Sequence, residues 1–197
     1  MYCEKCGQTK SRSFKRFVVV VLIFANLISL FSCGGSKSGY EDAIEQLIDY
    51  SCYYNVKHED ILTMAPLAYW KKMADNYADG DINALISMKE EYANTLKEKR
   101  SESLKTKKVS YQVNYLTKLS VKECQEVEEK LESTYILNFS GIAEAYSFTL
   151  ELTITTDGNQ KQETLSVIAV NTDDNWYLAF DNKRIEWAVD AIIMSDY

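Results

Sequence analysis

Apolar residues follow three kinds of spacing along this chain, and their order predicts its elements. The first is an unbroken run, Phe17 to Phe31, in which only Asn26 and Ser29 are polar. The second is the helical period of three to four residues. It holds over Ala43, Ile44, Leu47, Ile48 and Cys52, then over Leu67, Trp70, Met73, Ala74 and Tyr77. It returns at Ile82, Leu85, Ile86 and Met88. These stripes predict three helices, with a short helix or turn at 58–65 after the first. Pro66 suits the first position of the next helix, Asp79-Gly80 ends it, and Asp81 suits a cap for the third. The stretch 97–108 holds six basic residues and is expected to be a solvated helix tail.

The third spacing is alternation. Val109, Tyr111, Val113 and Tyr115 alternate with polar residues and predict a strand. Ser120-Val121-Lys122-Glu123 is a capping box, in which each side chain satisfies a backbone N–H at a helix start. The helix it opens presents Cys124, Val127 and Leu131. Tyr146, Phe148, Leu150, Leu152 and Ile154 form the clearest strand pattern. Asp157-Gly158 turns it into Leu165, Val167 and Ala169, and Asp173-Asp174-Asn175 turns again into Trp176, Leu178 and Phe180. After Asp181, the residues Ile185, Ala188, Val189, Ile192 and Ile193 fall at helical spacing. They predict an amphipathic helix that covers the sheet or serves as a homodimer contact. The expected fold class is α+β, with N-terminal helices packed on a curved antiparallel sheet. One proline, seven glycines and the lack of any internal repeat fit a single domain over 40–197.

Charge divides the chain. Residues 1–16 carry five basic side chains against Glu4, whereas the remaining residues carry 17 basic and 28 acidic ones. An acidic body of that kind argues against nucleic acid as a partner. The basic start, the apolar run and the small residues Ser32, Gly34, Gly35 and Ser36 together make an export pattern. Fifteen helical residues rise about 22 Å, short of the ~30 Å hydrocarbon thickness. The basic flank is expected to stay in the cytoplasm and send the rest of the chain outward.

Leu30-Phe31-Ser32-Cys33 resembles the lipobox of bacterial lipoproteins, in which a small residue precedes a cysteine that is diacylated on sulfur. Leu30 and Ser32 fit it, and Phe31 is bulkier than usual there. The resemblance implies that 1–32 is removed and that Cys33 carries lipid. Residues 33–39 would then tether the domain to the outer face of a bacterial membrane. Retention as an uncleaved signal anchor and simple secretion are the other two readings. Cys3-Glu4-Lys5-Cys6-Gly7 resembles the first knuckle of a zinc ribbon. A closed zinc site needs four ligands, and this chain holds no second Cys-x-x-Cys. Cys3 and Cys6 would bind metal only on a retained leader, where two chains could pool four thiolates.

The element order of residues 40–181, with its closing Asp-Asn-Trp-Tyr-Leu strand, resembles the cone-shaped α+β domains of the nuclear transport factor 2-like superfamily. A cystatin-like sheet over a helix reads similarly. That superfamily includes isomerases and dehydratases that work with a carboxylate or histidine deep in an apolar cone. Here Asp49, Asp60 and Glu151 lie near apolar stretches, but nothing pairs them. Tyr111 and Tyr115 are expected in the core, and His58, the single histidine, at the surface. Cys52 and Cys124 sit on helical stripes, either as buried small apolar residues or as a disulfide. No catalytic set and no cofactor motif can be assembled. The expectation is therefore a non-catalytic binding domain for a peptide, a small ligand or an envelope protein. A lyase or isomerase acting in the cone is the alternative.

Overall fold

A computed structural model of the chain describes residues 39–135 and 141–191, all within the compact unit Lys37–Tyr197. The apolar run of the leader, Cys3, Cys6 and Cys33 lie outside the described residues, as do Ile192 and Ile193. Among the described residues, no helix is long and apolar enough to cross a membrane.

Among the described residues, five helices come first: α1 (Gly39–Tyr53), α2 (His58–Leu62), α3 (Leu67–Tyr77), α4 (Ile82–Lys99) and α5 (Ser101–Thr106). Strand β1 (Lys108–Lys118) and helix α6 (Val121–Tyr135) come next. Then come β2 (Glu144–Thr156), β3 (Asn159–Thr172), β4 (Asn175–Asp181), β5 (Ile185–Trp187) and the short α7 (Ala188–Ala191). The strands form one antiparallel sheet in the order β1-β2-β3-β4-β5. The fold class is α+β, as the spacing predicts.

Local signals act where the sequence places them. Asp81 Oδ1 accepts the Ala84 N–H at 3.0 Å and starts α4. Glu123 accepts the Ser120 N–H at 2.7 Å, while the Ser120 hydroxyl faces the Glu123 N–H at 3.4 Å, closing the capping box. Both hairpin turns run through left-handed residues, Asp157 and Gly158 in one, Asp173 and Asp174 in the other. Pro66 stands one residue before α3, where its carbonyl accepts the Trp70 N–H at 3.3 Å.

Helix α1 lies against the sheet with Ile44, Leu47 and Ile48 buried. At its start Tyr40 meets Tyr146, Phe148 and Trp176, with ring centroids 5.5 to 5.9 Å apart. Gly39 is required there by close approach: a Cβ on it would lie 2.1 Å from Trp176 Cδ1. This aromatic cluster fixes the first turn of α1 on the sheet.

Three expectations change. The segment after Asp181 does not begin as a helix. Ile185–Trp187 pairs with β4 as a fifth strand, and helix starts only at Ala188. Ile185 and Trp187 are both buried, so an apolar pattern shared by a short strand and a helix has been resolved by pairing. Tyr115 does not join the core. The β1–β2 register slips between Asn114 and Thr117, Tyr115 takes φ 56, and its ring is 84% exposed. The basic stretch is not one solvated tail, because helix breaks at Arg100 before α5 begins.

Candidate ligand cleft

Strand lengths build the cleft. β2 and β3 are 13 and 14 residues long, but β4 has seven and pairs with β3 only from Val167 to Thr172. The far half of the β2–β3 hairpin therefore extends past β4, with β1 on its other side. One face of this overhang carries the cross-strand pairs Leu150–Leu165, Leu152–Glu163 and Ile154–Lys161. The C-terminal end of α1 and the α4–α5 junction stand opposite. Between them lies a cavity of about 540 Å³, within the roughly 300–1,000 Å³ typical of small-molecule sites.

Its floor is apolar, formed by Leu47, Ile48, Leu152, Leu165 and Phe180. Its rim is polar and cationic, formed by Arg100, Lys107 and Lys161 with Asn159, Gln160 and Asn182. Glu163 also lines it and is ion-paired with Lys161. Among the described residues, the lining thus holds three cationic side chains and one carboxylate.

Tyr54 organises the cationic side. It comes after α1 in the left-handed region (φ 51), while Asn55 N–H reaches back to the Asp49 carbonyl at 2.9 Å. A non-glycine residue held this way costs on the order of 1 kcal/mol. The turn buries the Tyr54 ring in the cleft wall. Arg100 Nη1 donates to its hydroxyl at 2.6 Å, and the Arg100 guanidinium and Lys107 ammonium lie 5.6 and 5.8 Å from its ring centroid. Lys107 Nζ also donates to the Cys52 carbonyl at 2.9 Å, satisfying one of the last acceptors of α1. Two cations are thus fixed beside apolar surface by one strained tyrosine.

A second polar cluster sits at α7. Asp190 Oδ1 accepts the Tyr69 hydroxyl and lies 4.0 Å from Lys89 Nζ, and Oδ2 faces the Tyr135 hydroxyl at 3.4 Å. The Tyr135 oxygen accepts the Trp187 N–H at 2.8 Å, and the Lys89 ammonium lies 5.8 Å from the Trp70 ring centroid. Burial, and then the Asp190 charge, push the hydroxyl pKa of Tyr69 and of Tyr135 up. Burial pushes Lys89 down, with Asp190 opposing it. These contacts tie α7 to α3, α4 and α6. Between α7 and α1 the remaining space is about 10 Å³, at most a single water.

The residues expected to carry chemistry are not brought together. Asp49 and Glu151 are exposed, and Asp60 accepts the Lys57 N–H at the start of α2. The Asp49 pKa is pushed up by partial burial and by Glu45 and Asp60 nearby. His58 is half-buried, with Nε2 3.4 Å from Asn83 Oδ1 and Nδ1 4.0 Å from Glu90. Cys52 and Cys124 are both buried thiols at opposite ends of the sheet. Cys52 lies beside Lys107, where β1 begins, and Cys124 beside Lys118, where β1 ends. Eleven strand residues between them span about 35 Å, far beyond the ~7 Å that a disulfide bridges. Arg100, Lys107 and Asp190 are the residues that the spacing pattern missed. The available sign for the first two was the pair Ser101 and Ser103, which interrupts the basic run; Ser103 Oγ donates to the Arg100 carbonyl at 2.9 Å.

No family model, no curated protein and no solved structure matches this chain. Function must therefore be read from the site itself.

Proposed function

We propose that this chain is a membrane-tethered extracytoplasmic lipoprotein, lipidated on Cys33, whose α+β domain binds a ligand in the cleft without transforming it. The domain would be a variant of the cone-shaped nuclear transport factor 2-like type. The cleft carries the binding half of this reading. It combines apolar floor, fixed polar groups and adequate volume, the usual constitution of a ligand site. The non-catalytic half rests on Asp190. Its oxygens are occupied by two tyrosines and a lysine that clasp α7, leaving it poorly suited to serve as a general base.

Within the domain, Gly39 and Tyr54 stand at the two ends of α1, about 22 Å apart along the helix, so a tether on the Gly39 side would not run through the cleft end of α1.

Mass spectrometry of the mature protein tests the anchor. The expected N-terminus is a diacylglyceryl-modified Cys33 with residues 1–32 gone. A stoichiometric intact peptide from Met1 to Gly7 would overturn the lipoprotein reading and restore Cys3 and Cys6 as a metal-binding tail.

A further inference from the structure

We infer that the bulged end of β1 rests on the lipid surface that carries the anchor, with Tyr115, Leu116 and Val121 entering the head-group layer. This rests on lipidation at Cys33, as read above, and is independent of the cleft. Among the described residues, six large apolar side chains are exposed, and three of them fall within 115–121. Tyr115 is 84% exposed, Leu116 46% and Val121 79%. The other three, Leu67, Tyr77 and Met88, are spread over α3 and α4. Grouped exposure of this kind marks a contact surface, whereas scattered apolar residues need no explanation.

The backbone displays the group. Where β1 slips against β2 between Asn114 and Thr117, Tyr115 takes φ 56, which costs a residue with a Cβ on the order of 1 kcal/mol. Regular alternation would put its ring on the face of Tyr111 and Val113, which pack against the core. The bulge turns it out instead. A tyrosine suits the boundary of a bilayer, because its ring is apolar and its hydroxyl stays among the head groups.

The group also lies at the right end of the domain. Lys107, just before β1, lines the cleft. At the other end of the strand Lys118 pairs with Tyr146, whose ring centroid is 5.5 Å from that of Tyr40 at the start of α1. Lys118 is three residues from both Tyr115 and Val121. Six residue steps join Cys33 to Gly39, a reach of about 20 Å at full extension. A lipid on Cys33 would hold this end within that distance of the surface, where a weak apolar contact forms at high effective concentration. Charge selects the kind of contact. Helix α6 carries five glutamates, and Lys118 and Lys122 are ion-paired with Glu144 and Glu126. The contact is therefore apolar, with no preference for anionic lipid.

The test uses the full-length chain in discs of phosphatidylcholine brominated on its acyl chains, with the wild-type tryptophan emission subtracted. An indole in place of Tyr115 should sit about 5–10 Å into the boundary and be quenched. Tyr115→Trp should show at least about twofold more quenching than Gln160→Trp, which lies in the β2–β3 turn at the other end of β1. Adding Leu116→Asp should lower the quenching at position 115 at least about twofold. Exchanging part of the lipid for phosphatidylglycerol should leave it unchanged, and quenching that needs phosphatidylglycerol overturns the apolar contact. Equal quenching at 115 and 160 overturns the lipid-facing surface. A blue-shifted but unquenched indole at 115, growing with the number of chains per disc, assigns the surface to a second copy and overturns it too. The mass of the same sample separates these failures from that of the anchor: a lipidated Cys33 leaves the anchor standing, and an unmodified Cys33 overturns both.

Discussion

The Tyr54 cleft and the Asp190 clasp are built from the same parts, tyrosine hydroxyls, lysine or arginine, and apolar walls, yet they differ in what is left over. At Asp190 the carboxylate, two phenols and Lys89 meet among buried rings, and α7 closes on α1 with room for about one water. At Tyr54 two cations meet one ring beside a cavity of about 540 Å³. The clasp neutralises its cation internally and so contributes to stability. At the cleft, Lys161 engages Glu163, and the Tyr54 ring with its two cations stands beside a much larger volume than the one left at α7. Similar residues thus become structure in one place and a candidate site in the other, according to whether the packing closes.

Removing the carboxylate should expose this difference most strongly. Asp190→Ala deprives the buried Tyr69 hydroxyl of its acceptor and leaves Lys89 without its anion. A loss of about 3 kcal/mol is expected in urea unfolding. A loss below about 1 kcal/mol would show that α7 is not held by this cluster. Arg100→Gln, at the cleft, should cost well under half as much in the same assay.

High pH should strain the clasp next. The hydroxyls of Tyr50, Tyr69 and Tyr135 are pushed up in pKa, first by burial and second by Asp190. In the unfolded chain they ionise near their ordinary value of 10.0. The native state therefore keeps protons that the unfolded state loses. Their contribution is fully present below pH 10 and is lost as pH rises above it. For the fully buried Tyr50 and Tyr69 the slope approaches about 1.4 kcal/mol per pH unit each. Lys89 acts oppositely, since burial lowers its pKa and stability gains until the unfolded value of 10.5 is passed. Two tyrosines outweigh one lysine, so urea midpoints should fall between pH 10 and 11. Tyr69→Phe should remove part of that slope. A flat profile would mean that the phenols are open to solvent.

How much of this was visible in the chain differs between the two regions. Capping residues, hairpin turns and alternating strands act through neighbours within four residues, and they were legible: Ser120–Glu123, Asp81 and Asp157-Gly158 do what their spacing predicts. The α+β order comes from them. Both clusters instead depend on distant pairs, Tyr54 with Arg100 and Tyr69 with Asp190, 46 and 121 positions apart. No periodicity encodes such pairs. The cleft also depends on an unequal strand length, and where β4 stops pairing cannot be read from β3. Ile185 and Trp187 show the same limit, because their spacing fits a helix until pairing with β4 is known.

The same substitution at two tyrosines offers a finer comparison. Tyr69→Phe leaves a half-buried carboxylate short of a donor and should cost about 2 kcal/mol. Tyr54→Phe removes one bond to an arginine that solvent can still reach, and should cost about 1 kcal/mol or less. Paired denaturation curves measure both. Equal losses would mean that the cleft is as closed as the clasp, and its role as an open site would lose its main support.

The smallest expected effect is none at all, and it concerns the two buried thiols, Cys52 and Cys124. Cys52 stands at the cleft end of α1 with Sγ 3.6 Å from Ser51 Oγ, and burial pushes the Cys124 thiol pKa up at the other end of the sheet. A raised thiol pKa reduces the thiolate fraction that disulfide exchange requires. The span of β1 separates the two sulfurs. Unfolding midpoints with and without dithiothreitol should therefore coincide. A disulfide closing the 71-residue loop between them would contribute several kcal/mol, about 4 on a chain-entropy model, and would shift the midpoint visibly. Such a shift would require α1 and α6 to approach at one end of the sheet, which would close the cleft and erase the contrast with the Asp190 clasp.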